Sequence, residues 1–242
     1  MRAHVYHALA ALEGQHWWYA ALHGRLLDRL EREARHQGRP LRVFDAGCGT
    51  GGLLQKLRRH RDVAVAEGCD VHPLALRYAR SRGLNVQARS VNDLAGLPGG
   101  WDVVFCVDVL YHQEVQPERA PEGMAASLSP GALLLLNVAA MPSLTRSHDR
   151  HLMGAHRFLP TGLRKSAEAS GLRVEELRYW NSWLTPLLWF RLRLAECLRP
   201  WAATTEQAFD REAGDAGANA PGSDLAFPRF QGQVGRGHAM TT

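Results

Sequence analysis

The chain has 242 residues, of which 45% are apolar, with a net charge of +5 and a pI of about 9.3. This length suits one α/β domain with additions. The arginines are scattered, so the charge does not indicate a nucleic-acid-binding face. No apolar run reaches the roughly 18 residues of a membrane helix, and no signal peptide is predicted. The four cysteines form no C-x-x-C pair, which indicates free thiols and a cytoplasmic location.

Residues 1–40 predict an N-terminal helical cap. Leu9 and Leu12 share one face of a first helix, and a second helix is expected over residues 15–36. Trp17 and Trp18 lie next to each other in that second helix. Because neighbouring helical residues cannot share a face, one ring should pack inward and the other should face a cleft or solvent.

A glycine-rich loop follows a short apolar strand at Val43–Ala46, and a helix with apolar spacing comes next. Gly47, Gly49 and Gly52 fit G-x-G-x-x-G, and Asp70 follows about 20 residues later, as in dinucleotide-binding proteins. The carboxylate of Asp45 and the additional Gly51 favour S-adenosylmethionine (SAM) instead, because a carboxylate beside the loop can face a cationic ligand. Both cofactor classes remain open on this pattern.

Strands are predicted at 63–71, 84–88, 101–110, 132–138 and 172–180, alternating with helices. This order predicts an α/β fold with a Rossmann-like, doubly wound, mostly parallel sheet over residues 41–180. An amphipathic segment at 181–201 and a flexible tail at 202–242 follow. Residues 231–234 are too glycine-rich to be a convincing seventh strand, so that strand is predicted to be absent or altered.

The ordered motifs Asp45–Gly51, Asp70, Asp93 and Asp108 resemble those of the class I SAM-dependent methyltransferases. The resemblance, together with position at the strand ends, implies that SAM is the cofactor. The implied cofactor-binding residues are Asp45, Gly47, Cys48, Gly49, Gly51, Asp70, Val71, Asn92, Asp93, Leu94 and Asp108. Asp70 would accept hydrogen bonds from the ribose hydroxyls, Asn92 and Asp93 would contact the adenine edge, and Asp108 would face the methionine portion.

Tyr111 and His112 come just after the fourth strand, where an open α/β sheet places its ligand. His112 is therefore the first candidate for a general base, and Tyr111 is a candidate for substrate binding. A cluster at 148–157 resembles a stretch at the active-site mouth of a polysaccharide-linked methyltransferase branch. That resemblance implies that His148, His156 and Arg157 hold the acceptor or take its proton. The spacing matches no zinc motif, and no metal is predicted.

The segment from His16 to Tyr19 resembles the His-Trp-Trp-Phe segment of a bacterial methyltransferase branch linked to surface polysaccharide or secondary metabolism. Trp17, Trp18 and Tyr19 are candidates for a lid over the cofactor and substrate; a core anchor with a surface aromatic is the alternative. Arginines usually follow closely in that branch. Here they are displaced, so His23 or Arg25 would supply any cationic contact to SAM.

The predicted function is SAM-dependent methyl transfer (EC 2.1.1.-) to a small-molecule or sugar acceptor, at oxygen, by in-line displacement. A catalytically silent SAM-binding protein and an NAD(P)-dependent oxidoreductase are the alternatives. An RNA methyltransferase is disfavoured because no basic face is clustered, so no nucleic-acid partner is predicted. A monomer or a homodimer is expected, and a peripheral membrane contact through 181–201 is left open.

Overall fold

The computed structural model describes residues 3–117, 119–142, 157–180, 186 and 229–235. For residues 3, 4 and 229–235 it describes the backbone only. The chain divides into two compact units, one comprising Met1–Tyr179 with Arg229–Thr242 and the other Trp180–Pro228. Nearly all described residues belong to the first unit. The amphipathic segment predicted at 181–201 lies outside the described residues, apart from Pro186.

The elements alternate between helix and strand once the two N-terminal helices have passed. In chain order they are α1 (Ala3–Leu12), α2 (Trp17–Gln37), β1 (Leu41–Ala46), α3 (Gly52–Arg58), β2 (Val63–Asp70), α4 (Pro73–Ser81), β3 (Asn85–Ala88), a 3-10 helix (Val91–Gly96), β4 (Trp101–Val107), α5 (Arg119–Ser127), β5 (Leu128–Ala139), α6 (Pro160–Ala169), β6 (Arg173–Trp180) and β7 (Arg229–Gly235). The predicted order of elements is confirmed up to β6. No helix among the described residues is long and apolar enough to cross a membrane.

The strands form one seven-stranded sheet in the order β3-β2-β1-β4-β5-β7-β6. The first five strands of this order pair in parallel, and β7 pairs antiparallel with β5. The predicted doubly wound, mostly parallel sheet is confirmed. The strand order reverses between β1 and β4, and a ligand binds such a sheet outside the carboxyl ends of its strands at this point.

The prediction that a regular seventh strand is missing is wrong. Residues 229–235 pair with β5 from Leu133↔Gly235 to Ala139↔Arg229, so the prediction of a flexible tail is also wrong for these seven residues. Their glycines weaken the intrinsic strand preference. Pairing with the buried strand β5 supplies the stability that the local sequence lacks, because strand preference depends strongly on tertiary context.

Helix α2 buries an apolar stripe along one face, as its periodicity predicts. Leu22, Leu26 and Leu30 are fully buried, and a period near 3.6 residues places them on one face. His16 caps the first turn by accepting a hydrogen bond from Trp18 N at 3.2 Å, and Gly38 ends the helix at a φ of 67°. This packing fixes the start of α2 above the carboxyl ends of the strands.

Candidate active site

A cavity of about 270 Å³ lies at the carboxyl ends of β1, β2 and β4. We call its sheet side the cavity floor, formed by Asp45, Gly47, Cys48, Gly49 and Asp70. We call its helical side the cavity roof, contributed by α1 and α2 through Val5, Tyr6, Leu9, Glu13, Tyr19 and His23. The loop after β4 closes a third side. The cavity lies at the reversal of strand order, where the fold places a ligand.

The glycine loop of the cavity floor is tightly folded against its neighbours. Gly47 has a φ of 83°, and a Cβ there would lie 2.4 Å from Cγ2 of Val109, so only glycine fits. The backbone N–H groups of Gly47 and Cys48 donate to Cys69 O at 2.9 and 2.8 Å. The loop backbone is therefore held close to the cavity, as a cofactor cradle requires.

Asp70 ends β2 and is fixed by two backbone groups. Its Oδ2 accepts from Gly49 N at 2.9 Å, and its Oδ1 accepts from His72 N at 2.8 Å. An ionised carboxylate has about four acceptor positions, so both oxygens can still accept hydroxyl protons. Asp70 thus fits the ribose-binding role that its position predicts.

Several carboxylates lie around the cavity. Asp45 is 2% exposed, and burial together with the nearby Asp70 and Glu13 carboxylates raises its pKa to about 7. A cation in the cavity would relieve this repulsion. SAM carries a sulfonium and an ammonium group, so the side chains of this cavity fit that cofactor.

Glu13 occupies the N-terminus of α3 with its carboxylate. The Thr50 hydroxyl donates to Glu13 Oε1 at 2.7 Å, Gly52 N donates to Oε2 at 3.2 Å, and Arg82 pairs with Oε1. In dinucleotide-binding proteins, the pyrophosphate sits at this helix terminus. Because a protein carboxylate already binds there, the geometry argues against the NAD(P) alternative.

Helix α1 is fastened over the cavity by side chains distant in sequence. Tyr6 stacks on His72 with ring centroids 4.2 Å apart, and His7 Nδ1 lies 2.5 Å from the Tyr78 hydroxyl. Both partners belong to the region around α4. Tyr6 and Glu13 are site residues that the sequence does not predict, because the apolar spacing of α1 is the only signal in this stretch.

His23 faces the cavity from α2 and is 4% exposed. Its Nδ1 is buried without a hydrogen-bond partner among the described residues. Burial, and then the nearby Lys56, lowers its pKa to about 4. The imidazole is therefore neutral at pH 7, so His23 does not supply the cation that was expected from this helix.

The side of the cavity that would face the acceptor is formed by the segment after β4. Asp108 has a φ of 61°; its Oδ1 accepts from Asn137 Nδ2 at 2.7 Å, and its N–H donates to Asn137 O at 2.8 Å. Tyr111 and His112 come next, with ring centroids 4.7 Å apart. Both line the cavity, and Tyr19 lines it from α2.

The structure brings most of the predicted residues together around this cavity. Those lining it are Asp45, Gly47, Cys48, Gly49, Asp70, Val71, Asp108, Tyr19, Tyr111 and His112. The described ones that do not line it are Gly51, Asn92, Asp93, Leu94, Trp17, Trp18 and Arg157. His148 and His156 lie outside the described residues. Lining residues that the sequence analysis did not name include Arg89, Ser90, Gln113 and Glu114.

The exceptions have local physical reasons. Leu94 is fully buried in the core, Trp18 is 6% exposed and Trp17 is 45% exposed, so one tryptophan packs inward and the other faces solvent. Gly51 precedes α3 at a φ of 90°. Arg157 Nη1 donates to Ala140 O at 2.8 Å.

The three described cysteines, Cys48, Cys69 and Cys106, are buried free thiols, as predicted.

A family model described as "Methyltransferase domain" matches residues 11–181. The ubiquinone biosynthesis O-methyltransferase of Xanthomonas campestris pv. campestris is 30% identical over 185 residues, covering 67% of this chain and 75% of that protein. The "Probable tRNA methyltransferase 9B" of Bos taurus is 28% identical over 155 residues, covering 60% of this chain. The chain spans only 33% of that protein's length.

Among solved structures, the chain resembles magnesium protoporphyrin IX methyltransferase from Synechocystis PCC 6803 with bound SAH. The TM-score is 0.56 at 16% identity, covering 90% of this chain and 84% of that one. At that identity the likeness shows the fold, and the family match carries the assignment. The chain therefore belongs to the methyltransferase domain family, as a class I methyltransferase whose cofactor is SAM.

Proposed function

We propose that the chain moves the methyl group of SAM to an oxygen atom of a small-molecule or sugar acceptor. The observation that carries the proposal is the placement of Tyr111 and His112 in the wall of the cavity whose floor holds Asp45 and Asp70. Cofactor and acceptor groups would thus meet in one space. When bound, SAM supplies a methyl group on a good leaving group, and the displacement is in line.

The cavity floor has the binding role in this proposal. Asp70 would accept the ribose hydroxyls while its backbone bonds to Gly49 and His72 keep it in place. Asp45 and Asp108 would face the positively charged end of the cofactor. These groups orient the cofactor rather than react, so their contribution is alignment.

His112 has the proton-accepting role. A hydroxyl acceptor is a better nucleophile when a base takes its proton during the transfer. His112 lies in the segment after β4, beside Tyr111, whose phenol can position the acceptor. His148 and His156 are the further candidates for this role from the sequence, and they lie outside the described residues.

The cavity roof supports a small acceptor. Helices α1 and α2 cover the cavity with apolar and aromatic side chains such as Val5, Leu9 and Tyr19, and enclosed, mostly apolar sites are typical of small ligands. The similarity to the Xanthomonas protein, an O-methyltransferase of ubiquinone biosynthesis, also supports transfer to a hydroxyl.

The test is an acceptor screen that measures SAH formation from SAM with phenols, sugars, amines and a tRNA arm. We expect turnover with a hydroxyl compound, and a loss of about 100-fold in kcat in His112→Gln with little change in SAH affinity. The exposed His36→Gln serves as the matched control. Turnover on tRNA alone would overturn the small-molecule proposal. Tight SAH binding without turnover on any acceptor would favour the silent alternative.

A further inference from the structure

Asn92 does not line the cavity, and both ends of its carboxamide bond backbone groups. Its Nδ2 donates to Glu114 O at 2.8 Å, and its Oδ1 accepts from Gln116 N at 2.8 Å. Both partners belong to the segment after β4, more than twenty residues along the chain. The Asn92 carboxamide thus holds two backbone groups of one loop through hydrogen bonds.

That loop is the acceptor side of the site, and we call residues 109–116 the acceptor loop. It carries Tyr111 and His112 in the cavity wall. Inside it, His112 N donates to Val109 O and Val115 N donates to His112 O, both at 3.0 Å. Its start is held by the pairing of Asp108 with Asn137, and Asn92 holds its far end.

The two residues that precede Asn92 lie at the cofactor end of the same cavity. Its neighbours Ser90 and Val91 line the cavity, and Asn92 N donates to Ser90 Oγ at 3.2 Å. A ligand resting on Ser90 and Val91 therefore contacts the turn that carries Asn92. Two hydrogen bonds from the Asn92 side chain join this turn directly to the acceptor loop.

We infer that Asn92 is a positioning residue that joins the cofactor-facing turn to the acceptor loop and so couples cofactor binding to order at Tyr111 and His112. The inference rests on the proposed function only for the roles of those two residues. A carboxamide provides one donor and one acceptor on the same rigid group. Aspartate would keep the acceptor for Gln116 N but place an oxygen against Glu114 O.

The experiment is hydrogen exchange of the full chain, with and without SAH, for the wild type, Asn92→Ala, Asn92→Asp and the control Glu122→Ala, an exposed residue of α5 outside the cavity lining. We expect exchange across 109–116 to be about tenfold faster in Asn92→Ala and less accelerated in Asn92→Asp, because an opened loop loses its protection. Exchange in β4 should stay unchanged, which shows that the fold is intact. SAH should slow exchange across 109–116 in the wild type and in Glu122→Ala, but not in Asn92→Ala.

Unchanged exchange across 109–116 in both Asn92 variants would overturn the inference. So would a tenfold loss of SAH affinity in Asn92→Ala without faster exchange, which indicates a direct adenine contact. The Asn92→Asp variant keeps the test valid if Asn92→Ala does not fold. Because exchange needs no acceptor, failure to find methyl transfer would leave this result standing on its own.

Discussion

The cavity floor and the cavity roof are built in different ways. The floor is a strand–loop–strand arrangement in which backbone N–H groups of the loop and the start of α4 bond Asp70 and Cys69. The roof is attached by side chains: Glu13 to Thr50 and Arg82, and the ring of Tyr6 to His72. The floor is therefore part of the sheet, whereas the α1 side of the roof is attached through a few side-chain contacts. Changes in the floor should mainly alter ligand binding, and changes in the roof should mainly alter stability.

Removing the Asp70 carboxylate is the strongest test of the floor. Asp70→Ala should weaken SAH binding about 100-fold or more, roughly 3 kcal/mol, since hydrogen bonds to a charged group contribute about 1.5–3 kcal/mol each. Calorimetric titration measures this affinity. Glu67→Ala, in the same strand but outside the cavity lining, should bind SAH like the wild type. Equal affinities for the two variants would contradict the distinction.

His23 tests the roof through pH. Its folded-state pKa, about 4, is below the unfolded value near 6.5. The stability that His23 contributes is therefore complete above pH 6.5 and is lost as the pH falls through 4. We expect a loss of about 3 kcal/mol in unfolding free energy relative to His23→Leu over this window, measured by urea unfolding. His36→Gln, on the same helix, should follow the wild type.

Glu13 tests how the roof is fastened. Glu13→Ala leaves Arg82, Gly52 N and the Thr50 hydroxyl without their acceptor, so we expect a loss of about 2 kcal/mol in unfolding free energy. Glu168→Ala removes an exposed pair with Arg164, 3.5 Å away, and should cost only about 0.5 kcal/mol. If the two losses are the same, the roof is not held at this point.

Asp45 gives the smallest effect and tests the charge of the floor. A cationic ligand favours the ionised carboxylate, so SAM binding should release protons near the Asp45 pKa of about 7. Affinity should be about tenfold lower at pH 6 than at pH 8, about 1.4 kcal/mol. Asp45→Asn, titrated with the same ligand, should lose this dependence. A pH dependence that persists unchanged in the variant would rule out Asp45 as its source.

The same contrast explains what the sequence could predict. The floor follows from local signals: glycines at fixed spacing, Asp70 at a strand end and Tyr111 with His112 after a buried strand. The contacts of the roof join residues about 40 to 70 positions apart, such as Thr50 with Glu13 and Tyr78 with His7. Local periodicity contains no information about those partners. Asn92 shows that a local signal can also be incomplete. Its type and position fit an adenine contact, whereas its side chain bonds the acceptor loop.

Strand β7 has a consequence for how the protein forms during synthesis. It enters the sheet between β5 and β6, and its residue Gly235 pairs with Leu133, about a hundred residues earlier. Until that stretch leaves the ribosome, the apolar strand β5 keeps an open edge, which is prone to pair with other chains. A chain shortened before Arg229 should therefore aggregate rather than fold into a smaller sheet. The late return of the chain also predicts slow folding, since distant contacts must form last.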